Sequence, residues 1–169
     1  MSVTVVPGVS IKFSETTVSL LNEVKQLSAY RARNMKNEKG MNDFDKFALT
    51  EGESDFFDTQ LRYAVPAVFL PLSKIAKGIT NSVFIDYDTS AGAECGFSLV
   101  DYQAYDANVL TIMDAKIRKC YVLWILREWF FFSGLVETSN AFDLMYREAL
   151  NELKDKAFDL IRPLMTPGA

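Results

Sequence analysis

Histidine is absent from this chain of 169 residues, and cysteine is scarce. Without histidine there is no Ser/His or Cys/His activation of a nucleophile, and no metal site that uses an imidazole ligand. The two cysteines, Cys95 and Cys120, are too few for a disulfide framework and too far apart in sequence for a metal knuckle. We therefore interpret both as small buried hydrophobic residues.

Long apolar runs and an excess of basic charge are also lacking. The net charge of -4 gives no general attraction to nucleic-acid phosphates or anionic lipid. The most apolar window, Tyr121 to Val136, is interrupted by Arg127 and Glu128, and is shorter than the ~20 residues of a membrane-spanning helix. The first ten residues have no basic region or apolar core typical of a signal peptide. We expect a protein made in a cytoplasm, without a membrane partner.

What is present fits a globular domain, with 49% hydrophobic and 24% charged residues. No internal repeat or linker divides the chain, so residues 1–169 are predicted to form a single domain. Its fold class is mainly α, a bundle of about four helices that ends in an antiparallel helical hairpin. We expect an extended arm over 1–13, a helical body over 14–163 with a β-hairpin insert near 82–100, and a tail over 164–169.

The N-terminal segment Ser2 to Phe13 is rich in β-branched residues around Pro7 and Gly8, which predicts an extended arm or an edge strand. An arm of this kind is free to pair with a neighbouring molecule. Its candidate partner-binding residues are Val3, Val5, Val9 and Ile11. Ser14 then has the properties of an N-cap for a first helix that should end near Met35.

A second helix is predicted after Thr50 and Glu53, which have the spacing of a capping box. Apolar residues continue past Pro66 and Pro71. Because each proline removes a backbone donor and clashes with the preceding turn, we expect a kink or two shorter helices.

Two short β-prone runs follow, Ser82 to Tyr87 and Cys95 to Val100, and they predict a β-hairpin. Asp106 is a candidate N-cap for the longest helix, which is apolar around most of its circumference and should be central. Gly134 can terminate that helix.

The final helix is predicted to begin at a Thr138 or Ser139 cap. Because only a few residues separate it from the preceding helix, the two should pack antiparallel.

Opposite charges cluster in the first third of the chain. The acidic run from Asp43 to Asp58 does not match a calcium-binding loop and coincides with a helix start, where carboxylates are stabilising. We favour a solvated or partner-facing surface over a metal site. A basic patch lies near the end of the first helix. Identical subunits could pair these two patches head to tail. The candidate residues are Arg31, Arg33 and Lys36 on the basic side and Asp43, Asp45 and Asp55 on the acidic side.

Aromatic residues cluster between Trp124 and Phe132. Helical spacing favours core packing over a ligand pocket, but four consecutive aromatic residues cannot all face one core, so at least one should meet another helix, a loop or a partner. No phosphate-binding loop, nucleophile elbow or zinc signature occurs. We therefore expect neither an enzyme nor a cofactor.

Three parts of the chain suggest a family. The helix ESDFFDTQLRYAVPAVFLPLSKIAKG (Glu53 to Gly78), the hairpin insert and the helical pair from Lys116 to Leu164 resemble the head-to-tail connector, or neck adaptor, proteins of tailed bacteriophages and prophages. The last pair has an aromatic-rich helix ending in Trp and Gly, a short turn, and a helix with Tyr and spaced leucines. The resemblance implies a virion protein at the neck.

It further implies a ring of about twelve copies, docked on the portal protein and on other neck or tail proteins. DNA would pass transiently through the ring, and the terminal segments, including Leu164 and Met165, would dock on neighbours.

Two alternatives remain. One is a different virion scaffold part, such as a tail-completion or capsid-associated protein. The other is a small nucleic-acid-binding regulatory module that uses the basic patch at Arg31 to Lys39.

Overall fold

The computed structural model describes residues 2–33, 35, 47–86, 92–102 and 106–161 of the chain. These residues are mostly helical and include a small antiparallel sheet, which confirms the mainly α prediction. The strands are β1 (Ser2–Val6), β2 (Ser10–Thr16), β3 (Phe84–Ile85) and β4 (Glu94–Val100). The helices are α1 (Thr17–Ala32), α2 (Ser54–Ser73), α3 (Ala107–Phe132) and α4 (Val136–Ile161).

The N-terminal segment is a β-hairpin rather than an extended arm. Its turn has Pro7 followed by Gly8 at a φ of 72°, and the Val9 N–H donates to the Val6 carbonyl at 2.9 Å. Pro and Gly in this order are typical of a type II turn. The Gly8 N–H also donates to the Asp101 carboxylate at 2.8 Å, which attaches the turn to the end of β4.

The sheet has the strand order β1-β2-β4-β3, and all of its pairs are antiparallel. The predicted arm therefore pairs within its own chain, and the alternative prediction of an edge strand is confirmed for β1. The β3–β4 pairing joins Phe84 to Gly96 and Ile85 to Cys95. Apolar residues alternate along β2 and β4, so that one face of the sheet packs on the helices. Burial of this face holds the N-terminal hairpin against the rest of the chain.

The first two helices begin and end differently from the sequence-based expectation. Ser14 is not a helix cap, because β2 continues to Thr16 and α1 follows directly. The capping box before α2 is confirmed: the Thr50 N–H donates to Glu53 Oε2 at 2.7 Å. Helix α2 runs without interruption through Pro66 and Pro71, so the expectation of two shorter helices is wrong. Burial of its inner apolar face offsets the backbone bonds that the prolines remove.

Helix α3 is central and begins where it was predicted. The Asp106 carboxylate caps it by accepting from the Asn108 N–H at 2.8 Å. At its other end the N–H of Gly134, with a φ of 79°, donates to the Phe131 carbonyl, and the N–H of Leu135 donates to the Phe130 carbonyl. These two bonds form a Schellman motif, which needs a left-handed residue at the position of Gly134.

The turn between α3 and α4 occupies Ser133 to Leu135, so α4 begins at Val136. Thr138 and Ser139 are consequently inside α4, and the predicted cap at either of them is wrong. Three of the contacts between the two helices show their antiparallel order. They are the stacked rings of Phe130 and Phe142 at 5.4 Å, the edge contact of Trp124 with Tyr146 at 5.4 Å, and the ion pair of Lys116 with Glu152 at 2.5 Å.

One hydrophobic cluster joins the inner side of the sheet to all four helices. Phe97 of β4 lies at its centre, with ring centroids 5.8 Å from Phe13 and 5.4 Å from Phe69 of α2. Cys95 and Cys120 are both buried free cysteines, as predicted. Burial raises the pKa of each thiol to about 12, which makes both thiols unreactive at neutral pH.

Candidate functional site

A charge cluster lies partly buried between β2, α1 and α3. The Arg118 guanidinium donates to the Glu15 carboxylate at 2.6 Å, to the Glu23 carboxylate at 2.7 Å and to the Ser19 hydroxyl at 2.9 Å. Only 2% of the Glu15 side chain is exposed. A planar guanidinium is well suited to hold two carboxylates at once, so Arg118 fastens the sheet to two helices.

The carboxyl groups of this cluster are shifted by their surroundings. Burial raises the pKa of Glu15, against the opposing attraction of Arg118. Asp114 lies one turn before Arg118 on α3, and burial raises its pKa to about 6. Shifts of this kind occur at catalytic sites and also in structural ion-pair networks. Here Arg118 is bonded to both Glu15 and Glu23 and to the neighbouring hydroxyl, which indicates a structural network.

Sequence reasoning did not single out this cluster, although a signal was present. Along β2 the inward positions are Ile11, Phe13 and Glu15, and both apolar residues are buried in the core. Glu15 occupies the next inward position after these two residues, so its carboxylate is buried as well. A buried carboxylate needs a cation close to it, which predicts a partner such as Arg118. An open groove of about 740 Å³ borders the cluster, and Ser19, Asn22, Glu23 and Arg118 lie along it.

The basic patch at the end of α1 is only partly described. Arg31 and Arg33 are exposed, and Lys36 lies outside the described residues. Arg31 stacks on Phe142, with its guanidinium carbon 5.7 Å from the ring centroid. It also borders a cavity of about 200 Å³ beside Glu137 and Met145 of α4. The patch is therefore joined to α4 through Arg31.

Only the last part of the acidic run, which includes Asp55 and Asp58, lies within the described residues. Asp55 is exposed in the first turn of α2, where a carboxylate is favoured by the helix dipole. Asp58 is partly buried, and burial together with the neighbouring charge of Asp55 raises its pKa. Asp43 and Asp45 lie outside the described residues, so the predicted pairing of acidic and basic patches stays a prediction. Leu164 and Met165 of the tail also lie outside them.

The predicted docking residues of the arm divide into two groups. Ile11 is fully buried, and Val3 and Val5 are half-buried against the same core, so these three residues contact their own chain. Ile11 has no exposed surface for a partner, because the inner side of the hairpin covers the chain's own helices. The assignment of Val3 and Val5 on the edge strand stays a prediction. Val9, in the turn, is exposed and is also available for a contact with a neighbour.

The α3–α4 turn presents aromatic side chains to solvent. Phe130 is buried, whereas Phe131 and Phe132 are largely exposed. The Trp129 indole N–H donates to the Phe47 carbonyl at 2.7 Å, in the segment before α2. The expectation that at least one aromatic residue of this run meets another helix, a loop or a partner is confirmed by the contact of Phe132 with α2. Phe56 packs edge-on against Phe132, with centroids 5.7 Å apart.

Two helices have large apolar side chains on their outward faces. On α2, Tyr63 and Leu70 are 60% and 57% exposed. On α4, Leu144 and Phe158 are 65% and 52% exposed. The sequence analysis did not single out these outward residues. The available signal was an apolar residue that lies off the buried stripe of its helix.

No protein-family model, curated protein or solved structure matches this chain. No helix within the described ranges is long and apolar enough to cross a membrane. The same ranges hold no group of three Cys, Asp or Glu side chains arranged to bind a metal ion.

Proposed function

We propose that this chain is a structural subunit of a virion, which forms a ring at the neck of a tailed bacteriophage and joins the portal protein to tail components. One observation supports the assembly role: every helix of the described structure exposes at least one large apolar side chain. Such surfaces on a folded domain are typical of interaction sites. The exposed residues on the helices are Leu27, Tyr30, Tyr63, Leu70, Ile112, Phe131, Phe132, Val136, Leu144, Met145 and Phe158.

The body of the protein suits a subunit that must resist force. Helices α3 and α4 are each 26 residues long and are packed along their length, and Arg118 fastens the sheet to the helices. The unpaired outer edge of β1 adds a place where an extended segment of a neighbour could bind. The net negative charge would keep a channel lined by this protein from holding DNA.

The test is the mass of the purified protein in solution, measured by light scattering on a sizing column. It should be measured with and without the portal protein encoded in the same genome. We expect a ring, or a stoichiometric complex with the portal ring. A monomer that ignores the portal protein and binds DNA in low salt would contradict the proposal and favour the nucleic-acid-binding module.

A further inference from the structure

The outward face of α2 is apolar and basic. Tyr63 and Leu70 lie two turns apart on the same side of the helix. Lys74 ends the helix, Lys77 follows it, and both are exposed. The sequence from Thr59 to Ile85 contains no carboxylate side chain. Neither lysine forms an ion pair with the residues that the structure describes, so this basic face of α2 has positive charge available to a partner.

The outward face of α4 is apolar and acidic. Leu144 and Phe158 are four turns apart, and Glu148 and Asp155 lie between them on the same side of the helix. Both carboxylates are exposed, and neither forms an ion pair within the described ranges. Most nearby charges are paired, Arg147 with Asp143 at 2.7 Å and Glu152 with Lys116 at 2.5 Å. Lys154 donates to the Asn151 side chain at 3.4 Å and adds one cation beside the two carboxylates. This acidic face of α4 therefore keeps a net negative charge.

We propose that copies of this chain associate head to tail, with the basic face of α2 of one copy packed on the acidic face of α4 of the next. The inference rests on the proposed assembly function and specifies its interface. Each face has two large apolar side chains. The exposed lysines Lys74 and Lys77 lie at the end of α2, the exposed carboxylates Glu148 and Asp155 lie on α4, and the net charges of the two regions are opposite. Apolar anchors supply affinity, and complementary charges select the partner and its orientation.

Charge also argues against the symmetric alternatives. Pairing α2 with α2 would bring Lys74 and Lys77 of two copies together, and pairing α4 with α4 would do the same with Glu148 and Asp155. Like charges brought together at an interface oppose association. The favoured contact joins two different surfaces. An open chain of copies therefore always has a free α2 face at one end and a free α4 face at the other. Such an interface extends the assembly until it closes into a ring.

Two variants test the contact, each with one face disrupted. Leu70→Glu places a carboxylate on the basic face of α2, opposite the acidic face of its neighbour. Phe158→Lys places a cation on the acidic face of α4. Ile112→Glu, at an exposed apolar position on α3, is the matched control. All should keep the unfolding midpoint of the natural chain, because the changed side chains are exposed.

The readout is sedimentation velocity at high protein concentration, with and without the portal ring. The natural chain and the control should form the same assembly, and each face variant should associate at least roughly thirtyfold more weakly, as expected for loss of an interface anchor. Mixing the two face variants should give a dimer of one copy of each, because each supplies the face that the other lacks.

The outcomes separate the interface from the function. If the natural chain assembles and both face variants assemble equally well, the proposed function stands and this interface is wrong. If the face variants fail separately and no dimer forms on mixing, the contact is not head to tail through these faces. If the natural chain stays monomeric even with the portal ring, the proposed function fails, and the interface with it.

Discussion

Charged side chains occur in two contrasting settings in this molecule. Around Arg118, a cation and two carboxylates from different elements are joined within one chain and largely withdrawn from water. On α2 and α4, cations and carboxylates of the same chain lie on separate outward faces, next to exposed apolar side chains. The first arrangement is satisfied in a single copy. The second is hydrated in a single copy and remains available to a partner, which we propose is another copy of the chain.

The difference separates stability from assembly. Changes in the Arg118 cluster should alter the free energy of unfolding, because they uncover or remove buried charge. Changes on the outward faces should alter association and leave the fold intact. The two sets of variants therefore test whether the interior and the surface of this chain have independent roles.

The largest effect is expected from Arg118→Met. It removes the Arg118 ion pair of the buried Glu15 carboxylate, which should lower the free energy of unfolding by about 3 kcal/mol at pH 8. The loss should be smaller at pH 5, where Glu15 can take up a proton. Urea denaturation at the two pH values measures both. An equal loss at the two pH values would mean that packing, not charge, accounts for the effect.

Asp114→Asn should act in the opposite direction. Because burial raises the pKa of Asp114 to about 6, its ionised form is disfavoured in the fold, and the protein loses stability as the pH rises through that value. The variant cannot ionise, so it should be more stable than the natural chain at pH 8, by about 1–2 kcal/mol. At pH 4 the two should be equally stable. A gain of the same size at both pH values would contradict this origin.

A smaller gain is expected from Tyr121→Phe. The Tyr121 hydroxyl is buried and forms no hydrogen bond with the described residues. Removing a polar group that is buried without a partner should raise the free energy of unfolding by about 1 kcal/mol. Thermal unfolding measures the change, and Tyr146→Phe is a useful comparison, since that ring is also mostly buried in the core. A loss of stability in the Tyr121 variant would contradict this prediction.

Ionic strength should affect association and stability to different extents. Between low and physiological salt, association through the faces of α2 and α4 should weaken severalfold, since exposed charges are screened. The free energy of unfolding should change less over the same range, because the Glu15 carboxylate paired with Arg118 is almost fully buried. Sedimentation and urea denaturation at matched salt concentrations test this. Parallel changes in both quantities would contradict separate roles.

Local signals in the sequence predicted local structure. The Asp106 cap, the capping box of Thr50 and Glu53, and the end of α3 at Gly134 are found as expected, because each depends on residues within one turn. The errors concern partners far apart in sequence. Whether Ser14 starts a helix or continues a strand depends on its pairing with Gly96. The inward burial of Glu15 likewise depends on Arg118, which lies on a different helix.

The candidate surfaces were predictable only in part. Composition and the absence of histidine indicated a protein without common catalytic chemistry, and the aromatic run ending at Phe132 indicated an outward contact. The hairpin placed Ile11 in the core, which no periodicity could distinguish from a free arm. The opposite charges flanking Leu70 and Phe158 became visible only when the outward side of each helix was known.

The most direct test of the head-to-tail contact is chemical cross-linking through introduced thiols. The native cysteines are buried and unreactive, so they should not react with the cross-linker. A chain with both Leu70→Cys and Leu144→Cys, treated with a short bismaleimide, should give a ladder of covalent oligomers that ends at the ring. Either substitution by itself should give no ladder. Dimers from the single variants, with no ladder from the double variant, would show a symmetric contact and contradict the account.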